Sequence, residues 1–66
     1  MQVMVNGKII RLEREMSIAE FVHSRAAQVR LVAVEYNHHW TRREDWPNII
    51  LKENDRLEVI QMMAGG

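Results

Sequence analysis

An Asn-Gly pair flanked by alternating apolar residues is the local signal that most constrains the fold of this chain. The pair is Asn6-Gly7, and both central residues of a type I′ turn require the positive φ that Asn and Gly adopt readily. A turn here also fixes the register of the two strands, and it pairs Val5 with Lys8, Val3 with Ile10 and Met1 with Leu12. Because a slip of one residue would scatter these apolar side chains over both faces, the sequence predicts an N-terminal hairpin with one apolar side.

A capping box predicts the start of a helix. In Ser17-Ile18-Ala19-Glu20, the Ser17 hydroxyl would accept from the Glu20 N–H, and the Glu20 carboxylate would accept from the Ser17 N–H. Apolar residues then follow at helical spacing, namely Ile18, Phe21, Val22, Ala26 and Val29. We therefore expect a helix from Ile18 to Gln28 that lies on the apolar face of the hairpin.

Two further strands follow the helix. Val32, Val34 and Tyr36 alternate before a turn at Asn37, and residues 56–62 alternate after a turn signal at 53–55. In the last strand Leu57 and Val59 face one side, whereas the other side holds Glu58, Ile60 and Met62. Between them, residues 38–48 leave room for a short strand and one helical turn, with Trp46 expected to close the core.

This order of elements predicts an α+β fold of the β-grasp (ubiquitin-like) type. One main helix would pack across a mixed sheet of four to five strands, with the first and last strands parallel at its centre. The domain would comprise residues 1–62, and residues 63–66 would form a flexible tail ending in Gly-Gly.

Composition narrows the classes of function. The chain has 66 residues, nine basic and nine acidic side chains and no Cys. This favours one cytoplasmic domain without a disulfide framework, and it gives no basic excess for binding nucleic acid. The sequence has neither a transmembrane segment nor a signal peptide, so we expect no membrane association.

No residue pattern predicts catalysis or metal binding. His38 and His39 are adjacent and point to opposite sides of an extended chain, and His23 has no partner ligand at a convincing spacing. The only internal glycine is Gly7, in the hairpin turn, so no glycine-rich loop can bind the phosphates of ATP. We expect a chain that is not an enzyme, with no metal and no stably bound cofactor, and that is a monomer when free.

The tail carries the most informative chemistry. Ala64, Gly65 and Gly66 lack bulky side chains, so they could extend through a narrow channel and deliver the Gly66 carboxylate to a buried site of a partner. Adenylation by ATP would make that carboxylate an acyl electrophile, which a sulfur donor could convert to a thiocarboxylate. A bare Gly-Gly is equally what a frayed terminus or a cloning scar leaves.

Over essentially its whole length the chain resembles the ThiS-type sulfur carriers of thiamin biosynthesis, small β-grasp proteins that end in Gly-Gly. The resemblance rests on six segments: Val5-Asn6-Gly7-Lys8, Ser17-Ile18, Val34-Glu35-Tyr36-Asn37, Arg43-Glu44-Asp45-Trp46, Asp55-Arg56-Leu57-Glu58-Val59 and Ala64-Gly65-Gly66. The Arg-x-x-Trp segment discriminates best, because the related carrier of molybdenum-cofactor synthesis lacks it. Three turn positions depart from the family pattern, which often has Gly, Pro and Gly where this chain has His38, Arg42 and Asn54.

The resemblance implies a cycle run by partner enzymes. A ThiF-type adenylating enzyme would use ATP to activate Gly66, a sulfur-donor system would supply the sulfur, and thiazole synthase would receive it. Side chains near the tail would dock these partners, and the candidates are Ile60, Met62, Met63 and Arg43. The alternatives are a sulfur carrier for molybdopterin synthesis, a ubiquitin-like protein modifier, and a plain interaction domain.

Overall fold

Two strands joined at Asn6-Gly7 begin the fold, as the sequence predicts. In the computed structural model, which describes residues 1–25 and 31–61, β1 (Gln2–Val5) pairs antiparallel with β2 (Lys8–Arg11). Val3 lies opposite Ile10, Val5 lies opposite Lys8, and the backbones of Met1 and Leu12 exchange hydrogen bonds of 2.7 and 2.9 Å. Asn6 and Gly7 have φ values of 52° and 81°. Both the turn and the predicted register are confirmed.

The helix α1 (Ile18–Arg25) starts at the predicted capping box. The Glu20 backbone N–H donates to Ser17 Oγ at 3.1 Å, and the Ser17 N–H donates to Glu20 Oε1 at 3.1 Å. Ile18, Phe21 and Val22 are buried against the sheet, as their spacing predicts. The predicted continuation to Gln28, with Ala26 and Val29, lies outside the described residues.

The remaining strands complete one mixed sheet. They are β3 (Val32–Tyr36), β4 (His39–Trp40) and β5 (Arg56–Gln61), with a 3₁₀ helix (Arg43–Asn48) between β4 and β5. The strand order is β2-β1-β5-β3-β4, with β1 parallel to β5 and the other neighbouring pairs antiparallel. The prediction of one helix across a mixed sheet, with the first and last strands parallel and adjacent, is confirmed.

The core lies between the sheet and α1. Its buried apolar residues are Val3, Leu12, Ile18, Phe21, Val22, Val32, Val34, Trp46, Leu51 and Leu57. Trp46 is 2% exposed, and its Nε1–H donates to Thr41 Oγ1 at 2.8 Å. The Thr41 hydroxyl donates in turn to the Val34 carbonyl at 2.8 Å. Trp46 therefore closes the core, as predicted, and its polar nitrogen is satisfied there.

A second two-residue turn joins β3 to β4. Asn37 and His38 have φ values of 48° and 74°, and Tyr36 lies opposite His39 across the turn. Asn37 is the predicted turn residue. His38 occupies the left-handed region that glycine adopts most easily, at a position where the resembled family often has glycine.

Both turn asparagines also hold β5. The Asn37 Oδ1 accepts from the Arg56 N–H at 2.8 Å, at the start of β5, and the Asn6 carboxamide bonds to the backbone of Val59 further along. Thus each hairpin turn fixes one point of the strand that leads to the C-terminal residues.

Candidate functional site

The strand that leads to the predicted carrier terminus is the middle strand of the sheet. β5 lies between β1 and β3 and ends at Gln61. The tail residues predicted to act, Ala64, Gly65 and Gly66, lie outside the described residues, as do the docking candidates Met62 and Met63. The described part of the site is therefore the surface around the end of β5.

Ile60 lies on the sheet face opposite α1. Its neighbour Val59 packs against the core, so Ile60 points the other way, and its side chain is 45% exposed. Across the ladder Ile60 is opposite Ala33, and Trp40, which is 62% exposed, is opposite Glu35. Since directly opposed residues share a face, these side chains form one surface. We define the outer patch as Ala33, Glu35, Trp40, Glu58 and Ile60.

Two carboxylates meet in the middle of the outer patch. Glu35 lies directly opposite Glu58 on neighbouring strands, an arrangement in which like charges are destabilising. Within residues 1–25 and 31–61, neither carboxylate forms an ion pair or a hydrogen bond. A cation brought by a partner surface would relieve this repulsion.

Arg43, the remaining docking candidate, lies apart from the outer patch. It belongs to the 3₁₀ helix, which contacts α1, and its guanidinium stands over the Trp46 ring at 5.8 Å from the ring centroid. The structure thus gives Arg43 a contact with the residue that closes the core, whereas Ile60 faces away from α1. The two candidates are not brought together.

A buried carboxylate that the sequence reasoning did not single out anchors the start of β5. Asp55 is 8% exposed and accepts three hydrogen bonds: from Tyr36 Oη at 2.7 Å, from Asn37 Nδ2 at 3.1 Å and from the Lys52 N–H at 2.8 Å. Burial raises the pKa of this carboxyl, but the hydrogen bonds outweigh burial and leave the pKa below its usual value. Burial, and then the bond to Asp55, raises the pKa of Tyr36 to about 12.

This network is structural in character. It joins the end of β3 to the turn before β5, and the Asp55 carbonyl also accepts from the Met4 N–H at 2.8 Å. The turn signal at 53–55 is confirmed, with Asn54 at a φ of 68°. The burial of Asp55 was not predictable from that signal, because its side-chain partners Tyr36 and Asn37 lie far away along the chain.

Metal ligands and membrane-spanning helices are two further features on which the described residues bear. Among residues 1–25 and 31–61, no three His, Asp or Glu side chains converge in a way that could hold a metal ion. In the same ranges no helix has the length and apolar character needed to cross a bilayer.

One helix across a mixed sheet, with a parallel pair of strands at its centre, defines a domain of the ubiquitin-like β-grasp class. The model of the ThiS family matches residues 3–66, and the chain therefore belongs to the ThiS family. The resemblance drawn from the six sequence segments is thereby confirmed.

Solved structures agree with this assignment. The crystal structure of the thiamine biosynthesis protein ThiS from Geobacter metallireducens is 29% identical, with a TM-score of 0.86 and full coverage of both chains. An NMR solution structure of a thiamine biosynthesis protein from the same organism is also 29% identical, with a TM-score of 0.82, and covers all of this chain and 88% of that one. A further relative, the uncharacterized protein ycf40 of Trieres chinensis, is 21% identical over 62 residues, which are 94% of this chain and 85% of that protein.

Proposed function

We propose that this chain is the sulfur carrier for the thiazole moiety of thiamin, with the Gly66 carboxylate as the group that is activated and loaded. The observation that carries the proposal is the position of Gly65-Gly66 within a match to the ThiS family that extends to residue 66, shortly beyond the end of the central strand β5. The thiamine biosynthesis proteins of Geobacter metallireducens, which share the fold, support the same pathway.

The chemistry takes place in two steps on Gly66. The carboxylate attacks the α-phosphorus of ATP and displaces pyrophosphate, which gives an acyl adenylate. A sulfur nucleophile then attacks the acyl carbon and expels AMP, so that one carboxyl oxygen is replaced by sulfur. The thiocarboxylate is a nucleophile in its own right, and it delivers sulfur to the thiazole that is being formed.

Partners supply the catalysis, and the carrier supplies the reactive terminus. A ThiF-type enzyme binds ATP and adenylates Gly66, a sulfur-donor system provides the sulfur, and thiazole synthase consumes it. We further propose that the carrier acts in the cytoplasm, is a monomer when free, and binds no cofactor or metal of its own.

The adenylating enzyme docks on the outer patch. Gly66 is six residues beyond Ile60, and six extended residues span at most about 20 Å, so the active site must approach this end of β5. The opposite face of the sheet is covered by α1, which leaves the outer face as the accessible one. The enzyme surface that fits is apolar where it meets Ile60 and basic where it meets Glu35 and Glu58. In this arrangement Met62 and Met63 extend the apolar contact, and Arg43 belongs to a second surface.

Intact-mass spectrometry tests the chemical proposal. Incubation with the adenylating enzyme, MgATP and inorganic sulfide should shift the mass by the replacement of one oxygen with one sulfur. Deletion of Gly66 should abolish this shift and leave the melting temperature unchanged, because Gly66 follows the last strand. Sulfur acquisition by the Gly66-deleted chain would falsify the mechanism. High-mass conjugates in cell extract would point instead to a protein modifier, and loaded carrier that serves molybdopterin synthesis but not thiazole formation would assign it to that pathway.

A matched pair of variants tests the docking surface. Ile60→Ser should weaken binding to the adenylating enzyme about tenfold, because it removes apolar area that the complex buries. Ile9→Ser is the control, since Ile9 is 63% exposed but lies on the edge strand β2, two strands away from β5. Equal losses of affinity in the two variants would show that the outer patch is not the docking site.

The opposed carboxylates Glu35 and Glu58 give a test in which one substitution should raise stability but lower affinity. Glu58→Gln should stabilise the free domain by a few tenths of a kcal/mol, because it removes a directly opposed like charge, while it weakens binding to the enzyme. Titration calorimetry at two salt concentrations would measure both the loss and its salt dependence. Unchanged binding at low salt would exclude a basic contact at Glu58.

A further inference from the structure

The side chain of Asn6 replaces a strand residue where β1 has already ended. The carboxamide Oδ1 accepts from the Val59 N–H at 2.8 Å, and Nδ2 donates to the Val59 carbonyl at 3.2 Å. The Asn6 backbone N–H also donates to the Leu57 carbonyl at 2.9 Å. One residue thus engages three backbone groups of β5, two of them through its side chain.

The geometry of the turn explains why a side chain, rather than the backbone, bonds to Val59. β1 pairs with β5 at Met4 and Val5, which lie opposite Arg56 and Leu57. The turn at Asn6-Gly7 then takes the backbone away from β5. A carboxamide presents an N–H donor beside a carbonyl acceptor, as a peptide backbone does, so Asn6 adds one further step to the ladder.

This added step lies immediately beside the docking residue. On the other side of β5 the pairing with β3 continues to Gln61, which lies opposite Val32. Val59 is therefore held from both sides, by β3 and by the Asn6 carboxamide. The next residue is Ile60, the exposed apolar side chain of the outer patch, and the chain then proceeds to Gly66.

We propose that Asn6 is a positioning residue for the carrier terminus. Its carboxamide keeps the end of β5 in the sheet, so that Ile60 is presented and the tail starts from a fixed point before the partner binds. Without it, residues 59–61 fray, and the partner must order them on binding, which lowers affinity. This inference rests on the proposed function of Gly66, and it assigns to Asn6 a role beyond its turn.

Two substitutions separate the effect of the Asn6 side-chain bonds to Val59 from the effect of the turn conformation. Asn6→Gly keeps the positive φ at no steric cost and removes both side-chain bonds. Asn6→Asp keeps the side-chain size and one acceptor, but it places an oxygen against the Val59 carbonyl. The control is Ser17→Ala, which removes a helix cap and raises the equilibrium constant of global unfolding roughly fivefold without touching β5.

Amide hydrogen exchange and loading kinetics, measured on the full chain, give independent readouts. We expect the Val59 amide to exchange about tenfold faster in Asn6→Gly than in Ser17→Ala, since a lost bond of about 1.4 kcal/mol corresponds to that factor. Asn6→Asp keeps an acceptor for the Val59 N–H, so its increase should be smaller. In sulfur loading with the adenylating enzyme, MgATP and inorganic sulfide, the KM for the carrier should rise several-fold while kcat changes little.

The outcomes are distinguishable. If Val59 exchanges no faster in Asn6→Gly than in Ser17→Ala, or if the KM of Asn6→Gly matches that of Ser17→Ala, the positioning role of Asn6 is wrong and the sulfur-carrier proposal is unaffected. If the wild-type chain itself fails to load sulfur, the proposed function fails and this inference falls with it.

Discussion

The two hairpin turns of this domain have the same length and the same sign of φ but are built from different residues. Both place two consecutive residues at positive φ: Asn6 with Gly7 in the first turn, and Asn37 with His38 in the second. In each, the asparagine carboxamide reaches across to β5, at Val59 from the first turn and at Arg56 from the second.

The difference lies in what accompanies the asparagine. The first turn has a glycine, which adopts positive φ without strain, and its asparagine bonds only to backbone. The second turn has a histidine in the left-handed region, and its asparagine also donates to the buried carboxylate of Asp55. The comparison teaches that a strained turn can persist where a hydrogen-bond network holds it, whereas an isolated turn relies on residues that favour its geometry.

The largest expected effect comes from removing the network of the second turn. Asp55→Ala eliminates three hydrogen bonds to a buried carboxylate and leaves Tyr36 Oη and the Lys52 N–H without their acceptor. We expect a loss of about 3 kcal/mol in the free energy of unfolding, measured by urea denaturation at neutral pH. The control is Asp45→Ala, an exposed position in the 3₁₀ helix, which should stay within about 0.5 kcal/mol of wild type. Similar losses for both would show that the network contributes little.

Acid should weaken the second turn selectively. Because the folded-state pKa of Asp55 is lowered, its contribution to stability is present above its unfolded pKa of about 3.9 and is lost as pH falls through the lower folded value. The protonated carboxyl keeps its shape, so the loss should be smaller than in Asp55→Ala. Stability of wild type and Asp55→Asn, followed from pH 6 to about pH 2, should converge at the acid end. Parallel curves would contradict this.

The raised pKa of Tyr36 predicts a complementary loss of stability at alkaline pH. Its pKa is raised to about 12 in the folded state, above an unfolded value of about 10. Its contribution is therefore complete below about pH 10 and is lost as pH rises through the folded value. Tyr36→Phe should lack this alkaline loss in the same denaturation experiment, and an unchanged alkaline limb in that variant would exclude Tyr36 as its source.

Removing each asparagine side chain compares how much the hydrogen bonds of Asn6 and of Asn37 contribute to the free energy of unfolding. Asn37→Gly should cost about 2 kcal/mol and Asn6→Gly about 1 kcal/mol, because both lose two hydrogen bonds but only Asn37 bonds to a charged, buried partner. Both variants keep the positive φ, so the difference reports on the side chains. The reverse ranking in urea denaturation would mean that the Asp55 network does not depend on Asn37.

The smallest expected effect is an exchange of residues between the turns. His38→Gly should stabilise the domain by about 0.5–1 kcal/mol, because it relieves a left-handed conformation. Gly7→His should destabilise it by about 1 kcal/mol through φ alone, since a Cβ on Gly7 would meet no atom within 4 Å. Thermal melts of the two variants should shift in opposite directions. Shifts of the same sign would show that contacts of the histidine side chain, rather than φ, decide the outcome.

The same two turns show how much the sequence could predict. Asn6-Gly7 gave the correct turn and register because the information was local: two turn residues and the alternation on either side. The capping box at Ser17 and Glu20 and the core role of Trp46 were predictable for similar reasons. His38, by contrast, carries a weaker local signal for positive φ than glycine does, and the sequence indicated the second hairpin only as a turn at Asn37.

Long-range side-chain contacts were beyond sequence reasoning. Val59, which bonds to Asn6, and Tyr36, which bonds to Asp55, lie on strands far along the chain, and these pairs become neighbours only once β5 has entered the sheet. Likewise Glu35 and Glu58 were visible on two predicted strands, but their opposition depends on the register between those strands. Of the docking candidates, the sequence correctly placed Ile60 on the face away from Leu57 and Val59.

The central position of β5 determines when the sheet can form during synthesis of the chain. The strands on its two sides, β1 and β3, contact each other through β5 rather than directly, so a nascent chain that stops before residue 56 cannot join them. The ribosome must therefore deliver β5 before the sheet closes, and contacts of such long sequence separation form slowly. A chain cut short before residue 56 would therefore lack both Glu58 and Ile60 of the outer patch and the segment that leads to the terminal glycines.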